Sequence, residues 1–573
     1  MSGEYINAEN KKLLTRGFCF FLFTAICGYL SIITSFSPYN DDFPRYLTNY
    51  PVGVCFYGRI GTRILELLSF LSLYSYDAAP FSTVLSCGFL AAAAIIFKQI
   101  LDILYHKEYA SDKFAFACLV PIVVNPYLAE VFIFRFDNPF MTLAVLCAVG
   151  AAYFSIIINH RNDNDVGEAA QWPLCDMSMA KQVSIQFCLL LCSLTLYQAA
   201  LSAYILIFLY VLLVNLSRDK PLRKIVAEMR QWVCLLLLAV ISFIPLLLHK
   251  NPMSVARPFG ELVPASIDSF INNCHGNICN YFSGLYADWL HNPAGIIFFL
   301  LSLGFAITFA IDAWRNIKNK PIAITRIALI GICVFAFFIG PLGANIPLEL
   351  CSHKVGGCIK PRVLYCMGIL MAFVLYKNYL FICEALARSA AAGRGVTKYL
   401  GSCCRCYRIF LFFFGLWNIG YMNCFGNMMY MQRLLQNNVF YDLANDIHAL
   451  KQNDPKLSLL YMTGNISTPV LQNFYSLYPI NNKILPETWS VAIYCMFGFY
   501  YKGIKNDSLK CIIVEDSDWR KNSLLLKSKP WYDIYSVNDN VLFVELNGIT
   551  TIGKNANQLD PNSYIVFPLT TQP

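Results

Sequence analysis

Two carboxylates stand side by side at Asp41-Asp42, directly after the apolar run Gly17–Phe36. A carboxylate at that position suits a general base that takes the proton of a hydroxyl as the hydroxyl attacks. The same pair suits an Asx-type turn or a cap for the next helix, helped by Pro44. Arg45, in the same stretch, is a candidate substrate contact. Glu130, Arg135 and Asp137 form a second cluster, between two short apolar runs. Ionisable groups at membrane depth are costly and point to function by default. Arg135 can meet a substrate phosphate, or it can pair with Asp137 and close a re-entrant turn. Tyr197-Gln198 interrupts a third apolar run, where the Gln can hydrogen-bond a sugar hydroxyl or a neighbouring helix. Lys360-Pro361-Arg362 opens a later run. An Arg there suits an anionic leaving group, as a bidentate phosphate donor, and suits equally a snorkelling anchor at a helix end.

These residues need a membrane scaffold. The chain of 573 residues is 57% hydrophobic and only 14% charged, against about a quarter charged in soluble domains, so it belongs among membrane proteins. Its net charge of +9 is not a nucleic-acid signal, because the basic residues cluster in short loops between apolar runs. A crossing helix needs about 20 mostly apolar residues. The first run meets that length, and Ser35-Phe36-Ser37 is a poor cleavage site, so it reads as a membrane helix and not as a signal peptide.

Eleven crossings follow: Gly17–Phe36, Phe81–Leu101, Phe114–Val124, Pro139–Ile158, two short spans within Val183–Asn215 that meet at Tyr197-Gln198 (a single long tilted helix is the alternative), Trp232–His249, Ala294–Trp314, Ile327–Gly343, Arg362–Leu380 and Ile409–Met428. Lys11, Lys12 and Arg16 place the N-terminus in the cytoplasm. With that orientation the inside segments carry 23 Lys and Arg, the outside loops 9 and the tail 12, the asymmetry that the positive-inside rule requires. All the candidate residues then share the outer face. Arg59–Leu73 is amphipathic and suits the interface. Asn251–Asn292 and Asn345–Lys360 read as external loops, and Arg388–Arg408 as a basic cytoplasmic loop.

The expected division is a membrane domain over 1–428 and a soluble α/β or α+β domain over 429–573. The tail has a helix at Gln436–Gln452, strands at Leu457–Met462, Cys511–Val514 and Val541–Glu545, and a core run at Val491–Tyr501. Cys274 and Cys279 share one external loop, as do Cys351 and Cys358; each pair is either a disulfide or two free thiols. Cys403, Cys404 and Cys406 fall inside and should stay reduced. There is no GxxxxGK[ST] loop and no HExxH pair, and His275 and His353 are isolated. An outer-face site also argues against a nucleotide-linked donor.

Four short motifs occur in order: Tyr39-Asn40-Asp41-Asp42, Phe134-Arg135-Phe136-Asp137-Asn138-Pro139, Leu194-Thr195-Leu196-Tyr197-Gln198-Ala199 and Pro361-Arg362-Val363-Leu364. Together they resemble the bacterial and phage-type O-antigen glucosyltransferases of serotype conversion, within the GT-C superfamily. The resemblance covers Thr15 to about Met428 and carries nothing over to the tail. It implies undecaprenyl-phosphate-linked glucose, or a similar hexose, as donor and an O-antigen (lipopolysaccharide) polysaccharide as acceptor. The reaction would be an inverting transfer on the periplasmic side of the bacterial inner membrane. It implies that Asp41 or Asp42 is the base, that Arg362 and Arg135 face the phosphate, with Lys360 as a further partner, and that Glu130, Asp137, Tyr197 and Gln198 line the sugar pocket. Some GT-C enzymes use a divalent metal, which the Asp pair can hold; a metal-independent site without cofactor is the expectation. Two rivals remain. A lipid-linked-sugar transporter or flippase shares the spans, but such proteins often have repeated halves with key groups at the midplane. A glycan polymerase or ligase would transfer whole chains.

Overall fold

The computed structural model describes residues 2–35, 59–70, 77–105, 112–161, 177–248, 266–290, 293–346, 361–391, 397–465, 510–513, 523–538 and 540–547. Its helices are α1 (Ser2–Thr34), α2 (Ile60–Phe70), α3 (Phe81–Leu104), α4 (Lys113–Ala117), α5 (Val120–Val123), α6 (Ala129–Ile133), α7 (Asn138–Arg161), α8 (Met179–Leu196), α9 (Leu201–Leu216), α10 (Leu222–Leu248), α11 (Ile267–Leu290), α12 (Pro293–Asn316), α13 (Lys320–Ile339), α14 (Met367–Ala391) and α15 (Thr397–Asn453). Among the described residues, eleven segments are long and apolar enough to cross a membrane, and they correspond one to one with the eleven expected crossings.

The most buried of these segments is the broken one, Lys113–Ile133. Pro121 and Pro126 cannot donate the helical hydrogen bond, so α4, α5, a 3-10 turn at Pro126–Leu128 and α6 replace one continuous helix. Asn125 repairs the break. Its side-chain oxygen accepts from the Tyr127 amide at 2.9 Å, and its Nδ2 donates to the Pro121 carbonyl at 2.8 Å. The span therefore runs on to Ile133, beyond the expected end at Val124, because the interruption is a kink and not an exit. The neighbouring helix α14 approaches it at Gly368, where an added Cβ would run into the Pro121 carbonyl oxygen.

Tyr197 is extended (φ −159°, ψ 109°) between α8 and the 3-10 turn Gln198–Ala200, and α9 follows. The long apolar run is thus two helices, as expected. Two expected loops are largely helical. Asn251–Asn292 contains α11, whose polar residues are anchored to the bundle: Asn277 Nδ2 donates to the Ile346 carbonyl (2.8 Å) and the Tyr281 hydroxyl to Phe338 (2.7 Å). Cys274 and Cys279 both lie on α11 and are free thiols. Five residues apart on one helix, their Cα atoms are about 8–9 Å apart and on different faces, too far for a bridge. Cys351 and Cys358 lie outside the described residues. Arg388–Arg408 is mostly the end of α14 and the start of α15.

The tail carries a five-stranded sheet, β1 (Leu459–Asn465), β2 (Lys510–Ile513), β3 (Leu524–Lys529), β4 (Tyr532–Asn538) and β5 (Val541–Asn547), in the order β2-β1-β5-β4-β3. β1 is parallel to both β2 and β5, and β3, β4 and β5 form an antiparallel meander. Three strands fall where expected. The hairpin β3–β4 was not expected, since β3 is an exposed edge bearing Lys527 and Lys529 and has no buried alternation to read. One face of the sheet packs on α15 through Val439, Phe440, Leu443 and Ile447 against Leu460, Met462, Ile534 and Val544. The expected tail helix and the last span are therefore a single helix of 57 residues, which runs unbroken through the expected boundary at 428. Val491–Tyr501 lies outside the described residues.

Candidate functional site

At one end of the bundle, four separate stretches of chain bring charged side chains together. Glu130, on α6, is fully buried. Its Oε2 accepts the backbone N–H of Arg362 at 2.8 Å, and its Oε1 lies 3.6 Å from Arg362 Nε. Arg362 sits in the 3-10 turn Pro361–Val363, with its guanidinium over the Phe134 ring (5.2 Å) and its side chain 30% exposed. The Tyr197 hydroxyl donates to the Arg362 carbonyl at 3.4 Å. Tyr197 packs edge-on against Tyr365, and its own ring carries the Arg59 guanidinium at 4.6 Å. Arg59 also reaches Asp137, with Nη1 4.0 Å from Oδ2. Glu130, Tyr197, Arg362, Arg59 and Asp137 thus form one connected network, and Gln198, half-buried, is in the turn beside Tyr197.

Arg135 does not pair with its neighbour Asp137. Its Nε donates to Asp77 Oδ2 at 2.9 Å, and its Nη1 donates to the Ser35 carbonyl at 3.0 Å, at the end of α1. Asp77 is held by accepting the Ala79 amide at 2.9 Å. A small cleft opens beside Arg135, with Ile32, Ile133 and Met429 as its apolar wall, Ser35 and Thr83 as its polar one, and Gly426 at its side. The charges are paired across elements, which is the condition for holding ionised groups away from water.

Asp41, Asp42, Arg45 and Lys360 lie outside the described residues. The segment that holds Asp41-Asp42 leaves the described chain after Ser35 and returns at Arg59. Both of these residues are held by charged groups: Ser35 accepts from Arg135, which pairs with Asp77, and Arg59 belongs to the network through Asp137 and Tyr197. Asp41 is six residues from Ser35, a reach of at most about 21 Å. Among the described residues, no three His, Cys, Asp or Glu side chains converge as a metal-ligand set.

Arg59 and Asp77 are members of this site that the sequence motifs did not single out. Arg59 reads as the first residue of an amphipathic helix, and Asp77 as a lone turn residue before Ala78-Ala79-Pro80. Their charged partners, Asp137 and Arg135, lie 78 and 58 positions away, so only the fold reveals their roles.

The family model for the glucosyl transferase GtrII matches residues 30–387, more than half of the chain. The chain belongs to this family. The match takes in every described member of the charged network and the segment bearing Asp41-Asp42, and it ends before α15 and the tail. Searches among curated proteins and among solved structures returned no match. Membership makes the chain a membrane glucosyltransferase, with a sugar donor and an acceptor.

Proposed function

We propose that the enzyme moves a glucosyl group from undecaprenyl phosphate to an O-antigen polysaccharide on the periplasmic face of the inner membrane, with inversion at the anomeric carbon. The observation that carries this reading is the double mooring of the Asp41-Asp42 segment. One end, Arg59, belongs to the network that contains Arg362, and the other, Ser35, accepts from Arg135, the neighbour in sequence of the Phe134 ring on which Arg362 lies, which supports a base and a phosphate partner at the same end of the bundle. In the step, Asp41 or Asp42 takes the proton of the acceptor hydroxyl. The hydroxyl oxygen forms the new bond to the anomeric carbon. The bond from that carbon to the phosphate oxygen breaks, and the electron pair leaves with the polyprenyl phosphate, whose charge Arg362 stabilises. Glu130, Asp137, Tyr197 and Gln198 shape the sugar pocket, and Lys360 and Arg45 extend the positive surround. No metal takes part in this scheme.

The test uses the full-length enzyme in lipid nanodiscs, radiolabelled undecaprenyl-phosphate glucose and the host's lipid-linked polysaccharide. One of Asp41→Asn and Asp42→Asn, folded by thermal melt, should lose transfer by about 10²–10⁴-fold. Transfer that persists in both variants overturns the mechanism. Product mass separates addition of one hexose from transfer of a whole glycan.

A further inference from the structure

Helix α9 leaves the Gln198–Ala200 turn and runs for 16 residues, about 24 Å, so Ser217 lies at the end of the bundle opposite the charged network. Three helix ends meet there. Asn316 Nδ2, at the end of α12, donates to the Ser217 carbonyl at 3.2 Å. Arg326, buried near the start of α13, donates through Nη1 and Nη2 to the carbonyls of Arg218 and Lys220. Helix α10 begins directly after, at Leu222. The end of α12 and the starts of α13 and α10 are thus fixed on the short stretch from Ser217 to Lys220.

This corner carries many cations and little acid. Arg223, Lys224, Arg230, Arg315, Lys318 and Lys320 are all exposed. Of the two acids between Ser217 and Arg230, Glu228 is engaged by Lys220 and by Asn215 Nδ2, which leaves Asp219. Among the described residues, no carboxylate lies within ion-pair distance of Arg223, Arg230, Arg315, Lys318 or Lys320. Other cations at this end are paired: Lys98 with Asp102, Lys377 with Asp312, Arg388 with Glu384 and Arg408 with Asp112. Cations that only fixed the helix ends could be paired in the same way.

The corner also borders lipid. Helices α10, α12 and α13 are among the least buried of the eleven spans. Leu222, Val226, Val233 and Leu237 are exposed at helical spacing along one stripe of α10, and Arg230 stands on that stripe between Val226 and Val233. A cation on a lipid-facing stripe is costly in hydrocarbon and settles at the headgroups. Trp314, exposed on α12 with Lys320 Nζ 4.7 Å from its ring centre, is a residue of the type that sits at that level.

We propose that this corner binds the headgroups of anionic phospholipids in the leaflet opposite the charged network, with Arg223, Lys224, Arg230 and Lys318 as the phosphate contacts. Clustered Lys and Arg beside membrane helices attract anionic headgroups, and a guanidinium suits a phosphate oxygen pair. The α10 stripe lies along the acyl chains of the same lipids. An acidic soluble protein fits less well, because it could not cover a stripe that continues into the bilayer. Lipid binding here is independent of the transfer chemistry at the other end.

The test uses the full-length enzyme in phosphatidylcholine nanodiscs that carry a trace of spin-labelled phosphatidylglycerol or spin-labelled phosphatidylcholine. The motionally restricted fraction of each label gives their relative affinity. Wild type should prefer phosphatidylglycerol about five- to tenfold at about 50 mM salt and less than about twofold at about 1 M, where screening acts within about 3 Å. Arg223→Gln, Arg230→Gln and Lys318→Gln combined should bring the low-salt preference below about twofold. Lys12→Gln, Lys398→Gln and Arg405→Gln combined remove three exposed cations at the same end but outside the corner, and should leave most of it. Unlabelled phosphatidylglycerol should raise the melting temperature of wild type and not of the corner variant, while the two melt together in pure phosphatidylcholine. No preference in wild type, a preference that survives 1 M salt, or an equal loss in the second variant overturns the site. So does a corner variant that melts lower in pure phosphatidylcholine and keeps its preference, which would mark a structural role.

Discussion

Replacing Glu130 by Gln isolates one charge at the centre of the network. The amide can still accept the Arg362 N–H that Glu130 Oε2 receives at 2.8 Å, so the backbone turn at Pro361–Val363 keeps its anchor. What is lost is the carboxylate charge 3.6 Å from Arg362 Nε. At an effective dielectric of about 20, that attraction is about 4–5 kcal/mol. The 30% exposure of Arg362 and the cost of burying Glu130 reduce the net value to about 1.5–3 kcal/mol, the range for hydrogen bonds to charged groups. If Arg362 must be aimed at a leaving phosphate, the loss appears as about a 10- to 150-fold fall in kcat/KM for the donor. Glu130→Ala removes the anchor as well and should lower stability by about 3–5 kcal/mol. The assay is donor-dependent glucosyl transfer in nanodiscs, paired with thermal melts. A Glu130→Gln enzyme within twofold of wild type in kcat/KM would show that Arg362 needs no carboxylate to do its work, and the reasoning would fail.

Other consequences can be checked in the same preparations. Arg59→Lys keeps the charge but loses the flat stacking on Tyr197, so transfer should fall by about 2- to 30-fold, matching about 0.5–2 kcal/mol of cation–π contact; steady-state kinetics reads it. Gly368→Ala places a methyl against the Pro121 carbonyl and should destabilise the bundle by about 1–3 kcal/mol, seen as a lower melting temperature. In the tail, burial pushes the Asp446 carboxyl up, but hydrogen bonds from Lys527 (2.6 Å), Tyr532 (2.7 Å) and Lys529 (3.0 Å) prevail and hold it below the usual aspartate value. A carboxylate so lowered contributes stability that is full above about pH 4 and is lost as the pH falls through the lowered value. Tail unfolding followed against pH should show that acid limb in wild type and a flatter one in Asp446→Asn.

The spans were legible because about 20 apolar residues in a row have few other uses, and the Tyr197-Gln198 break was legible because polar residues interrupt the run at a single place. The helices α11 and the start of α15 were not legible as helices. They are too polar to cross, and their order comes from anchors such as Asn277 to Ile346 that lie far apart in sequence. The continuity of α15 was hidden for a related reason. Its polarity changes near Met428 from apolar to mixed, which reads as a boundary, while its buried face keeps one period throughout. At the site, the motifs supplied residue types and order. They did not supply partners: Arg135 finds Asp77 and Ser35, and Glu130 finds Arg362, 232 positions away.

Those partners imply a division of labour between the two arginines that the motifs treat alike. Arg135 is only 9% exposed, and it spends Nε on Asp77 and Nη1 on the Ser35 carbonyl. Its geometry is that of a mooring for the segment that carries Asp41-Asp42. The Arg362 side chain is 30% exposed against 11% for that of Arg135, and it is oriented from behind by Glu130 and Phe134. Its geometry suits the phosphate partner of the proposed mechanism. Truncating each to Ala should therefore have different kinetic effects. Arg362→Ala should weaken donor binding and leaving-group stabilisation together, raising donor KM and lowering kcat. On the proposed mechanism, Arg135→Ala should lower kcat with little change in donor KM, because Ser35 loses its tie while Arg362 keeps its partners. Guanidinium added to the assay should restore part of the Arg362→Ala activity, since that site opens to solvent, and little of the Arg135→Ala activity, since a free cation cannot tie Ser35 to Asp77. Equal KM effects in the two variants, or equal rescue, would refute the division and make both arginines phosphate ligands.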